Sequence, residues 1–142
     1  MKFIVCLLGL ILVFPARAEV DTAWMIGKWK VNSELTISSA RPNASPKSDG
    51  IVRIKAYLDQ LTFRITEETM ETYCPAYKEF PEIHDVVNYT ITGTVAEKIV
   101  VKVWAPGTTK IGRAVLSFES KDRFSALLKV ISGRGFYERV KE

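Results

Sequence analysis

From residue 61 to the end of the chain, apolar side chains recur at every second position, and the pattern resets at each cluster of turn residues. Leu61, Phe63 and Ile65 alternate with Thr62, Arg64 and Thr66. The same rhythm returns in Val87, Tyr89 and Ile91, in Ile99, Val101 and Val103, in Ala114, Leu116 and Phe118, and in Phe124, Ala126, Leu128 and Val130. A period of two is the signature of a strand with one buried face. Turns fall at Glu67-Glu68, at 93–97, at Ala105-Pro106-Gly107-Thr108, at Lys121-Asp122 and at Ser132-Gly133. Connections this short join antiparallel neighbours.

A further strand-like stretch runs from Gly27 to Leu35, with Trp29 and Val31 on one face and Lys28 and Lys30 on the other. Before it, residues 19–26 have room for a short helical turn under the sheet. The fold class that follows is all-β. About eight strands form an antiparallel up-and-down barrel, because closure removes the open edges that a meander with one apolar face would leave.

Two stretches interrupt the strands. Residues 36–50 are rich in Ser, Pro, Asn and Gly and read as a loop. Residues 46–60 fit a short helix through Ile51, Ile54, Leu58 and Leu61, with Ser45-Pro46 as its start, although alternation of Val52, Ile54, Ala56 and Leu58 also permits a strand. The balance of Ala, Leu, Lys, Arg and Gln favours the one helix. Residues 75–85, with two prolines, read as a second irregular stretch that holds His84 and Asp85.

The first 18 residues have a different character. Met1-Lys2 is a short basic start, Phe3 to Phe14 is an apolar run of 12 residues, and Pro15-Ala16-Arg17-Ala18 ends in small residues. That is the pattern of a secretory signal cleaved before Glu19. The run is too short to cross a bilayer, which takes about 20 residues. The expected organisation is a signal peptide at 1–18 and one barrel domain at 19–142, periplasmic or secreted and monomeric.

The exported part would carry 18 basic and 16 acidic residues without a basic cluster, which offers nothing to nucleic acid. It would retain one cysteine, Cys74, and so form no internal bridge. Small secreted animal proteins usually carry bridges, so their absence points towards a bacterial periplasm.

Reactive groups are sparse. The single histidine, His84, precedes Asp85, and Cys74 could in principle act with His84, but a nucleophilic site needs a third orienting group that the sequence does not supply. No metal-ligand spacing and no cofactor motif is present. Tyr73, Tyr77 and Phe80 around Pro75 and Pro81 are expected to pin the 75–85 stretch as a small apolar cluster. Asn88-Tyr89-Thr90 matches a glycosylation sequon, but it lies within a strand pattern.

The two ends of the exported part carry a resemblance. Gly27-Lys28-Trp29 at the start and Gly135-Phe136-Tyr137-Glu138-Arg139 at the close resemble the lipocalin and fatty-acid-binding-protein superfamily, and more narrowly the short exported lipocalin-like proteins of bacteria. The resemblance implies that Gly27 and Trp29 open the first strand and that Arg139 packs over Trp29 to close the base. Fatty-acid-binding proteins hold a carboxylate with an Arg-x-Tyr near the end. Here the Arg position is Gly135, and Arg134 is one residue out of phase, so that function does not carry over.

The inward-facing candidates for a ligand cavity are Phe63, Tyr89, Val101, Leu116 and Leu128, with Tyr137 at one end. Arg64, Lys102 and Arg113 fall on the outside. A non-enzymatic binding module for a small apolar or amphipathic molecule is the expected function. The alternative is an inhibitor or envelope assembly factor that contacts an envelope protein through 36–50 and 75–85 on a filled barrel.

Overall fold

The computed structural model describes residues 20–142, so the signal-peptide expectation for 1–18 falls outside the described residues. A 3-10 turn at Thr22–Met25, capped by the Asp21 carboxylate, leads into β1 (Gly27–Val31). Two helices follow, α1 (Ser33–Ala40) and α2 (Asp49–Leu58). Seven strands then succeed one another: β2 (Thr62–Ile65), β3 (Thr69–Cys74), β4 (Ile83–Val95), β5 (Lys98–Trp104), β6 (Ile111–Ser120), β7 (Arg123–Leu128) and β8 (Gly133–Arg139).

Each strand pairs antiparallel with the next, and β8 returns to β1, with Trp29 opposite Arg139 and Val31 opposite Tyr137. The result is the closed eight-stranded up-and-down barrel that the alternation requires. Its base gathers the lead-in turn and the 66–68, 96–97 and 121–122 turns. Its mouth gathers the two helices and the 75–82, 105–110 and 129–132 connections.

Several boundaries differ from the expectation, each for a local reason. The first strand stops at Val31 instead of continuing to Leu35. The Asn32 side chain accepts the Leu35 N–H at 3.0 Å and so starts α1, which makes two helices where one was expected. The helix read over 46–60 is present, but it starts after Ser48 and not at Ser45-Pro46, and it buries Ile51, Ile54, Tyr57 and Leu58 along one face. The loop read over 36–50 shrinks to 41–48, which is exposed throughout. β4 begins at Ile83, so His84 and Asp85 belong to a strand and not to a loop. β4 also runs on to Val95, through a register shift near Thr92, so that only Ala96-Glu97 turns. Val130 sits in a 3-10 turn after β7 ends.

α1 has a second task. β1 ends before it can cover the first half of β8, which would leave that edge open. The Phe136 N–H donates to Thr36 Oγ1 at 3.0 Å, and the Phe136 carbonyl accepts from the Asn32 N–H at 2.8 Å. A fully buried threonine thus serves as the missing strand partner. Elsewhere the wall is thinner. The β6–β7 ladder pairs Ser117 with Ser125, Phe118 with Phe124 and Ser120 with Arg123, and the mouthward parts of the two strands carry no register pairs.

A sealed base and a hollow mouth

The base closes around Trp29, which is fully buried. Its indole N–H donates to the Met25 carbonyl at 3.0 Å, fixing the lead-in turn beneath the barrel. The ring meets Phe124 edge-on at 4.7 Å between centroids and Phe118 at 6.1 Å. Arg139 lies over it, with Cζ 4.3 Å from the ring centre, within reach of a cation–π contact. The same guanidinium donates to the carbonyls of Trp24 at 2.6 Å, Ile26 at 2.8 Å and Lys121 at 2.7 Å, and its Nε lies 3.2 Å from an Asp122 carboxylate oxygen. One side chain therefore joins the lead-in turn, the β6–β7 turn and the last strand.

Gly27 makes this possible. Its φ is +143°, and a Cβ there would stand 2.6 Å from Arg139 Nη1. Only glycine meets both the backbone and the space requirement.

Towards the mouth the packing opens into a cavity of about 320 Å³. Of the six sequence candidates, Phe63, Leu116, Leu128 and Tyr137 line it. Tyr89 and Val101 do not. Both are buried on the inner face, and the Tyr89 hydroxyl is committed to the Thr66 carbonyl at 2.6 Å. The sequence reading missed Thr72, Asp85, Ala114 and Ala126 among the lining residues. The two alanines stand at inward positions where a larger residue would fill the space, and such small inward residues were the available signal. A wider hollow of about 610 Å³ lies outside the base among Lys28, Arg64, Glu67 and Lys141, but it is a surface groove of mixed charge.

The cavity wall is apolar except at four side chains, Thr72, Asp85, Tyr137 and, from the turn after β7, Lys129. Thr72 and Asp85 pair across β3 and β4, on the face that also carries Met70, Val87, Cys74 and Ile83. Tyr137 projects from β8, stacked on Phe124 at 4.8 Å and tilted against Phe63 at 5.5 Å. It is 5% exposed, and its hydroxyl, which faces the cavity, makes no hydrogen bond among the described residues. Burial pushes its phenol well above the ordinary tyrosine value, so it stays protonated and able to donate.

α2 is fastened over the mouth. Its Tyr57 hydroxyl donates to the Pro81 carbonyl at 2.6 Å, its ring stacks on Phe80 at 4.8 Å, and Arg53 pairs with Glu79 at 2.7 Å. Burial raises the Tyr57 phenol to about 12. Tyr77 and Phe80 exchange backbone hydrogen bonds and hold the 75–82 connection in place, whereas Tyr73 lies on the outer face against His84.

Cys74 and His84 do not come together. Tyr73 pairs with His84 and Cys74 with Ile83, so the thiol points inward and the imidazole outward. The thiol donates to the Tyr57 carbonyl at 3.3 Å, and burial pushes its pKa up, away from the thiolate a nucleophile needs. Arg134 also points outward and donates to Ser125 Oγ at 2.7 Å, while Gly135 places no side chain inside. Arg64, Lys102 and Arg113 are exposed on the outer face.

Closed eight-strand topology, a glycine-led first strand and an arginine of the last strand stacked on its tryptophan decide the architecture. The fold is lipocalin-like. No protein-family model and no curated protein matches the chain. A solved structure with similarity to it is a lipocalin-like protein from Bacteroides uniformis ATCC 8492, at 13% identity over 82% of this chain and 99% of that one, with a TM-score of 0.43. The open space of the barrel lies in its mouthward half. No helix among the described residues is long and apolar enough to cross a membrane.

Proposed function

We propose that the protein is an exported binding module that holds one small apolar or amphipathic molecule inside the mouthward half of its barrel. The observation that carries this reading is the cavity of about 320 Å³, bounded by Phe63, Leu116, Leu128 and Tyr137, at the lower end of the range for small-molecule sites. Burying apolar ligand surface there supplies the driving force, at roughly 25 cal/mol per Å² before ordering costs. Export to a bacterial periplasm follows from the leader pattern of residues 1–18, and a monomer suffices because the cavity is formed within one chain.

The test is calorimetric titration with a neutral short-chain alcohol such as decanol. The parent chain should bind it, and Ala126→Phe, which places a ring in the cavity, should weaken binding at least about tenfold. Failure of the parent to bind would sink the reading. The alternative is a contact surface for an envelope protein, formed by the exposed 41–48 loop and the 75–82 connection fastened to α2.

A further inference from the structure

Resting on that cavity reading, we propose that the ligand carries a protonated amine, which Asp85 receives while its apolar part fills the space below. The inner wall has a defined sign. Asp85 occupies an inward register position, opposite Thr72 and between two apolar pairs, Met70 with Val87 and Cys74 with Ile83. No lysine or arginine occupies an inward strand position mouthward of Arg139, and Arg139 is committed to three carbonyls and the Trp29 ring at the base. Arg134, the nearest basic residue to the last strand's inward face, points outward to Ser125. The one basic side chain that borders the cavity is Lys129, which comes from the exposed turn after β7 and not from a strand of the wall.

The Asp85 side chain makes no hydrogen bond or ion pair among the described residues, although it borders the cavity. Across the barrel, four strands away, Tyr137 lines the same cavity, and its hydroxyl makes no hydrogen bond among the described residues. A purely apolar occupant would strip water from both groups without replacing its hydrogen bonds, which is costly. An anionic occupant would meet a like charge at Asp85 and find an opposite one only at Lys129, in the turn beyond the strand wall. An ammonium group donates to a carboxylate in a charge-assisted hydrogen bond, and the Thr72 hydroxyl next to Asp85 can accept a further N–H. The volume restricts the apolar part to one short alkyl chain or a single ring system.

The experiment compares three probes of equal chain length at neutral pH, below their aggregation limits: decylamine, decanol and decanoate, each titrated calorimetrically into the protein. Decylamine should bind about tenfold more tightly than decanol, with decanoate weakest. Asp85→Asn should abolish the preference for decylamine over decanol, and Tyr137→Phe should cost about threefold for decylamine and decanol alike. Asp85 is exposed at one edge and anchors nothing, so its variant should fold; Thr72→Val, with a smaller loss of amine preference, is the second check. Decanoate binding as tightly as decylamine, or an amine preference that survives Asp85→Asn, would overturn the assignment of charge and leave the cavity reading standing. Binding of none of the three probes would overturn both.

Discussion

The two halves of the barrel use the same alternating strands for opposite ends. At the base, inward positions carry Trp29, Phe118 and Phe124, packed ring against ring and sealed by a guanidinium that satisfies three carbonyls. Towards the mouth they carry Ala114 and Ala126, and space remains. The difference teaches that one binary pattern specifies a barrel wall, whereas the sizes of the inward residues decide whether that wall encloses a core or a cavity. Stability should therefore depend mainly on the base, and ligand selectivity on the mouth.

The largest effect should come from Trp29→Ala. Truncating a fully buried aromatic costs about 3–5 kcal/mol, read as a lower denaturant midpoint. A midpoint within error of the parent would break the comparison, because the base would then not be the anchor. Arg139→Ala comes next, at about 2–3 kcal/mol, since it leaves the carbonyls of Trp24, Ile26 and Lys121 without their charged donor. Arg139→Lys should recover only part of that, because an ammonium cannot reach three carbonyls in the geometry of the guanidinium.

In the mouthward half, Cys74→Ser should cost about 1 kcal/mol, because the hydroxyl keeps the donor to the Tyr57 carbonyl and gives up only packing. The same variant should run as a monomer on non-reducing gels, as should the parent. Smaller still is the effect of acid on Glu138. The Asn32 amide, followed by the Arg123 guanidinium at 2.7 Å, holds its carboxyl below the ordinary glutamate range. The contribution is fully present above the ordinary value of about 4.3 and is lost as pH falls through the lowered folded value. Glu138→Gln should flatten that part of a stability–pH curve; an unchanged curve would show that the seam between β1, β7 and β8 does not depend on this carboxylate.

The strands were legible because their alternation is long and uninterrupted, and the base was legible because Gly27, Trp29 and Arg139 are residues with few substitutes at a tight crossing. α1 was not, because Lys28, Lys30, Val31 and Leu35 continue a strand-like pattern past the point where the Asn32 side chain captures the Leu35 N–H. His84 and Asp85 were placed in a loop because two prolines precede them, although those prolines stop at residue 81 and β4 starts at Ile83. The cavity lining was half legible. Inward direction can be read from phase, but Tyr89 and Val101 lie too near the base, and height along the barrel depends on strand tilt and on the β4 register shift. Asp85 reads in the sequence as the neighbour of His84 and not as a lining residue, because it breaks the apolar alternation, which is the same reason it matters to the site.

The short β6–β7 ladder has a consequence in time. Where Ser117 and Ser125 end the pairing, the wall continues without backbone bonds between the two strands, with Leu116 and Ala126 beyond the last rung. Amides on those facing edges should exchange with deuterated water through small local openings, while those around Trp29 should wait for unfolding of the whole barrel. The seam should therefore open on a clock separate from the unfolding of the whole barrel.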